Sequence, residues 1–163
     1  MRIISGLFKG KKILEPQDLK TRPLKDLTKE SIFNIIEHSN KFSTNIKNSN
    51  VLDLFSGVGS FGLECLSREA QHVTFVENYN NVLPILKKNL SNLKNKNNYK
   101  IFSKDINFET ENYFKKKMHF DIIFMDPPFK NKNLEKILND IHNNSILKKG
   151  GILVIHRHKK EED

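Results

Sequence analysis

The chain has 163 residues, 37% hydrophobic and 29% charged, with a formal net charge of +9. That length fits one domain burying roughly two-thirds of its unfolded surface, and the single cysteine, Cys65, excludes an internal disulfide or a cysteine-based metal cluster and reads as a core residue of a helix. No apolar run approaches a membrane span and the start, Met1-Arg2-Ile3-Ile4-Ser5-Gly6, lacks a signal-peptide core, so a cytoplasmic protein without a membrane partner is expected. The basic balance points to a polyanion such as nucleic acid, with a general richness in Lys and Asn as the plainer source of charge.

In chain order, Arg2-Ile3-Ile4-Ser5-Gly6 and Lys12-Ile13-Leu14 flank a turn holding Lys9, Gly10 and Lys11, which predicts a hairpin. Arg2, Lys9, Lys11, Lys12, Lys20, Arg22, Lys25 and Lys29 outnumber Glu15, Asp18, Asp26 and Glu30. A hairpin so charged is a candidate platform for backbone phosphates, the alternative being a solvated face. Asp26 is placed to cap a helix running to about His38, with Ile32, Phe33, Ile35 and Ile36 on one side. Residues 39–49 read as a surface linker.

Val51-Leu52-Asp53-Leu54-Phe55 reads as a buried strand, and Ser56-Gly57-Val58-Gly59-Ser60-Phe61-Gly62 follows as a G-x-G-x-x-G loop opening a helix from Phe61 to about Arg68. The loop alone also fits nicotinamide and flavin enzymes. Asp53 argues otherwise, because a carboxylate just ahead of the glycines favours a cationic ligand over a pyrophosphate. A strand, His72–Glu77, ends in an acid placed to accept hydrogen bonds from ribose hydroxyls, and a helix from about Asn80 to Leu93 carries Pro84 in its first turn. Tyr99–Phe102 is a third strand, after which Asp105 either reads an adenine amino group or caps a helix near Phe108 to Lys116.

Phe120–Met125 is a fourth buried strand, and it closes on Asp126-Pro127-Pro128-Phe129. The prolines fix φ, remove two donors and hold Asp126 extended at the carboxyl end of a strand, where open α/β sheets bind ligands. The Asp126 carboxylate and the carbonyls of Asp126 and Pro127 are then fixed acceptors beside the flat face of Phe129, a set suited to a planar group bearing an NH2. The alternative is a plain strand-to-loop exit. Leu134, Ile137, Leu138 and Ile141 have the spacing of a helix face, and Gly150-Gly151 turns the chain into a fifth strand, Ile152–Ile155. His156 and His158 lack further ligands nearby, so no metal site is expected.

Strand–helix alternation predicts an α/β fold, a Rossmann-like doubly wound and mostly parallel sheet, preceded by an N-terminal β-hairpin and helix extension. The set Asp53, Phe55, Gly57, Gly59, Gly62, Glu64, Glu77, Asp105 and Asp126-Pro127-Pro128-Phe129 resembles the class I S-adenosylmethionine-dependent methyltransferases, in particular those that methylate exocyclic base nitrogens. Arg2-Ile3-Ile4-Ser5-Gly6, Lys9-Gly10, Ile13-Leu14, Arg22-Pro23 and Lys29-Glu30-Ser31-Ile32-Phe33-Asn34 narrow the resemblance to the bacterial ribosomal RNA guanine-N2 methyltransferases of the small subunit. The chain departs from that pattern at Leu24, Leu27 and His156. It also stops at Asp163, where such proteins usually continue into a further strand pair, so that pair is expected to be missing and the edge at 152–155 exposed.

The resemblance implies S-adenosyl-L-methionine as cofactor, held by Asp53, Phe55, Gly57, Gly59, Gly62, Glu77, Asn78, Asp105 and Ile106. It implies Asp126, Pro127 and Phe129 as the catalytic set. Ribosomal RNA within the small subunit is the implied partner, contacted through Lys9, Lys12, Arg22, Pro23, Lys25 and Lys29. Residues 1–40 would form the RNA-contacting extension and 49–163 the cofactor-binding core, folded together as a single domain and expected to be monomeric. A DNA adenine-N6 methyltransferase, a non-catalytic RNA-binding module and a nicotinamide-dependent oxidoreductase are the alternatives.

Overall fold

The computed structural model describes residues 1–16, 24–94, 96–104, 119–128 and 133–157. Strands β1 (Asn50–Leu54), β2 (His72–Val76), β3 (Tyr99–Phe102), β4 (Phe120–Met125) and β5 (Leu147–Ile155) form one sheet in the order β3-β2-β1-β4-β5, with every pairing parallel. The central strands are near-continuous apolar runs because both of their faces are covered. Val51, Val73, Phe75, Ile122 and Phe124 join one hydrophobic cluster, and Leu52, Leu54, Ile123 and Met125 join the other. The first face is covered by α1 (Asp26–His38), α2 (Ser60–Ser67) and α3 (Leu83–Ser91), the second by α4 (Leu134–Asn143). Phe33 of α1, Phe61 of α2 and Phe124 of β4 stack in series, with centroids 4.9 and 4.1 Å apart. Cys65 is buried in α2.

Several boundaries differ from the sequence reading. The residues Tyr79–Val82 form a turn, closed by the Val82 amide on the Tyr79 carbonyl at 3.0 Å, so α3 begins at Leu83 with Pro84 in its first turn. The strand β5 begins at Leu147 and runs through Gly150-Gly151. That pair is no turn: a register shift opposite Phe120–Ile122 accommodates it within the strand. Asp26 does not cap α1: Lys25 takes the N-cap position without a side-chain capping bond, and the Asp26 carboxylate, at the first helical residue, accepts from the Arg2 amide at 3.3 Å.

The expected hairpin exists as a short antiparallel clasp around a 3-10 turn, Gly6–Phe8. Arg2 bridges Lys12, the Ile3 amide donates to the Lys11 carbonyl at 2.9 Å and the Gly10 amide to the Ile3 carbonyl at 2.8 Å. Its length is limited because the arm's polar groups are bonded elsewhere. Buried Glu64 of α2 accepts from the amides of Ile4 at 2.7 Å and Ser5 at 2.8 Å. Ser67 bonds the Ser5 carbonyl and the Phe8 amide. Farther along, Asn89 of α3 exchanges two hydrogen bonds with Leu14 and gives a third to the Val58 carbonyl, so one buried side chain ties the arm to the glycine loop. Leu24 is buried with Ile3 and Ile13, which accounts for an apolar residue there.

Glu64 also accepts from Arg68 Nε at 2.9 Å and lies 3.7 Å from Lys29 Nζ. Removing one partner of a buried ionic cluster leaves the others desolvated without compensation. Glu64→Ala should therefore lower the unfolding free energy by about 3–5 kcal/mol, read from the urea midpoint; a shift equivalent to less than about 1 kcal/mol would show that the arm is held by packing alone.

Candidate active site

The site stands on the carboxyl ends of β1, β2 and β4. After β1 the chain turns at Phe55, whose φ of +58° is sterically unfavourable for a side chain of that size. The glycine loop follows, and its glycines serve different ends. A Cβ on Gly59 would lie 2.6 Å from Leu86 Cδ1, and one on Gly62 would lie 2.6 Å from Phe75 Cζ. These two positions have no room for a side chain, which lets α2 and the loop close onto β2 and α3.

Asp53 is 1% exposed and aligned in the sheet with Phe75 and Phe124. Its Oδ2 accepts from the Gly62 amide at 3.0 Å, while Oδ1 is buried with no hydrogen-bond partner in the structure. Burial pushes the Asp53 carboxyl well up from the ordinary carboxylate range; the Gly62 N–H pulls it back, and the charges of Asp126 and Glu77 push it up again. An orphaned carboxylate oxygen in such surroundings is a site for a donor bearing positive charge.

Glu77, just past β2, is also buried. Its Oε2 accepts from the Gly57 amide at 2.7 Å and its Oε1 from the Tyr79 amide at 2.8 Å. It thus fastens the glycine loop to the turn after β2, and Asn78 stands exposed between the two anchor points. Past β4, Asp126 is half-buried, Pro127 buried and Pro128 exposed. The Asp126 Oδ1 lies 2.9 Å from Nδ1 of His156, the residue that follows β5. Nothing in the sequence alone assigns His156 a function. The signal was the strand order: with β5 beside β4 and Met125 paired with Ile155, the next residue of each strand must be neighbours.

Asp53, Phe55, Gly57, Glu77 and Asp126 are thereby brought to one rim, with Gly59 and Gly62 behind them. Asp105, Ile106, Phe129, Arg22 and Pro23 lie outside the described residues. Lys29 is a correction. It is fully buried, donates to the Arg2 carbonyl at 2.7 Å and to Ser60 Oγ at 3.2 Å, and is directed at Glu64, so no phosphate can reach it. Burial lowers the Lys29 ammonium below its usual range against the pull of Glu64 and Asp26. The exposed lysines of the expected RNA-contacting set, Lys9, Lys12 and Lys25, divide between two places. Lys12 pairs with Arg2, whose carbonyl is tied through Lys29 to the first residue of α2, and Lys25 immediately precedes α1, whose first residue bonds Arg2. Lys9 follows the turn bonded to Ser67 at the other end of α2, about 10 Å away along that helix.

Residues 1–163 match the family model described as conserved hypothetical protein 95. The chain belongs to that family. Relatives include the ribosomal RNA small subunit methyltransferase D of Haemophilus influenzae, 35% identical over 98% of this chain and 79% of that protein. The protein of the same name from Buchnera aphidicola is 35% identical over 98% of this chain and 78% of its own length. Among solved structures, the Escherichia coli protein yhhF superposes with a TM-score of 0.81 at 30% identity, covering 98% of this chain and 82% of that one. Family membership agrees with the fold class and with the resemblance carried by the arm and by the Asp-Pro-Pro-Phe stretch.

The Asp53 environment has a consequence for stability. Its folded-state pKa lies above the unfolded value, so the folded chain binds more protons between the two and loses stability as pH rises through that window. Asp53→Asn keeps an acceptor for Gly62 and removes the charge. In the absence of ligand it should raise the unfolding free energy at pH 8 by on the order of 1–2 kcal/mol, a gain that vanishes toward pH 4 in urea titrations; a loss of stability at pH 8 would contradict the linkage.

Proposed function

We propose that this protein transfers a methyl group from S-adenosyl-L-methionine to the exocyclic N2 of a guanine in small-subunit ribosomal RNA. The observation that carries it is the concentration of buried negative charge at the rim, with the orphaned Asp53 Oδ1 at its centre, inside a chain of net charge +9. A nicotinamide dinucleotide would bring a pyrophosphate against these carboxylates. S-adenosyl-L-methionine fits them, since its ammonium and sulfonium are positive and its ribose offers hydroxyl donors. When bound it supplies an activated electrophilic methyl group.

The residues divide the work as follows. Asp53 holds the ammonium, and Glu77, already fixed by two backbone amides, keeps lone pairs for the ribose hydroxyls. Asn78, Asp105 and Ile106 bind the nucleoside. The lone pair of a guanine N2 amine is delocalised into the ring, which makes it a weak nucleophile. The Asp126 carboxylate and the Pro127 carbonyl accept its two N–H bonds, so the nitrogen pyramidalises with its lone pair aimed at the methyl carbon. Transfer would break the methyl–sulfur bond and leave the donor sulfur as a neutral thioether, and the surplus proton of the amine would leave through Asp126 to solvent. Phe129 stacks on the base, whose removal from its own stack costs a few kcal/mol, less in a loop.

Residues 1–40, Arg22-Pro23 among them, supply the RNA contacts, with Lys12 and Lys25 nearest the glycine-loop end and Lys9 farther off. The partner is the small subunit, the working form is a monomer and the compartment is the cytoplasm. Among the described residues no helix is long and apolar enough to cross a membrane.

In calorimetric titrations, Asp53→Ala should weaken S-adenosyl-L-methionine binding by at least tenfold, about 1.4 kcal/mol, while Asp126→Ala leaves binding intact and abolishes turnover. Equal affinity of Asp53→Ala and wild type would remove Asp53 from the cofactor site. In RNA binding, replacing Lys12 and Lys25 together should lower the log–log salt slope by about 1–2 units; an unchanged slope would move the RNA surface elsewhere.

A further inference from the structure

We propose that His156 is a positioning residue for the methyl transfer, fixing the Asp126 carboxylate in the orientation that receives the target amine. The proposal rests on the role given to Asp126 above. Asp126 leaves the sheet with little backbone support: its own amide reaches the Leu54 carbonyl at only 3.5 Å, and Pro127 and Pro128 have no N–H to donate. His156 grips the same point twice. Its amide donates to the Met125 carbonyl at 2.9 Å, and its ring Nδ1 meets Asp126 Oδ1 at 2.9 Å. The backbone bond sets where the imidazole starts, and the ring bond stops rotation of the carboxylate about Cβ–Cγ.

The direction of that bond follows from chemistry. An ionised carboxylate only accepts, so Nδ1 is the donor and carries the ring proton. The charged neighbours make the restraint necessary. The carboxylates of Asp53, in β1, and Asp126 repel each other across the rim. The side chains of His156 and Asp126 are 22% and 21% exposed, and such partial desolvation strengthens the hydrogen bond over one at an open surface. A donor just past β5 therefore holds an acceptor just past β4 against repulsion from β1.

The test is a pair of variants assayed on small ribosomal subunits lacking the methyl group. His156→Leu removes the donor, and His156→Asn places an amide N–H near the position of Nδ1. His156→Leu should lower kcat about 10- to 100-fold, as expected when an acceptor is displaced by on the order of 1 Å, with cofactor Kd and subunit KM within about twofold of wild type. His156→Asn should restore kcat to within about threefold of wild type. In an Asp126→Asn background, His156→Leu should add nothing. Unchanged kcat in His156→Leu, an Asn variant as slow as the Leu variant, or a matching loss of cofactor binding would each overturn the proposal. Wild-type turnover by Asp126→Asn alone would instead overturn the role of Asp126 on which it rests.

Discussion

The parallel pairing of β1 with β2 on one side and β4 on the other is the constraint from which the site follows. Parallel hydrogen bonds hold the strands level: Leu54 pairs with Val76 and Met125, Val76 with Phe102, and Met125 with Ile155. The residue after each strand end is thereby delivered to one rim, which is how Phe55, Glu77, Asp126 and His156 come together from positions up to a hundred residues apart. Asp53, one position before the end of β1, lies just beneath them. Both faces of these strands are buried, so a slip of one residue would exchange Asp53 for Leu52 or Leu54 and drive a carboxylate into the second cluster. The core thus fixes the register, and the register fixes the chemistry.

The second determinant is charge held against its preference. Asp53, Glu77 and Asp126 stand together among the apolar ends of the strands, and Glu64 is buried on the far side of α2. Glu64 is answered within the fold by Lys29, Arg68 and two amides of the arm, so its burial is structural. Asp53 is answered on one oxygen only. That asymmetry separates a structural acid from one kept for a ligand. The overall positive charge draws a polyanion to the surface, while the rim inside it suits a cation, and the two preferences coexist because the arm is carried on α1 and α2, outside the rim.

Much of the fold was legible because the strands are buried on both sides. β3 and β4 were read with their final boundaries, since short β-branched and aromatic runs between polar segments leave little choice. The start of β5 was missed because Leu147-Lys148-Lys149-Gly150 is polar and mostly exposed, and a glycine pair inside a strand looks like a turn. Among site residues, Asp53 was legible as an acid in an otherwise apolar strand. Lys29 was not: within a basic run it resembles its neighbours, and only its contact with Glu64, far along the chain, shows that it is interior. The tight packing at Gly59 and Gly62 was equally hidden, because it depends on Phe75 and Leu86 lying behind the loop.

The measurement that bears most directly on these residues acting together is transfer of labelled methyl from S-adenosyl-L-methionine to small ribosomal subunits lacking the modification, with naked ribosomal RNA and DNA as parallel acceptors. Label recovered from the subunits as N2-methylguanine is the predicted result. Label recovered as N6-methyladenine in DNA, or no label on any acceptor by a protein that binds the cofactor, would contradict it.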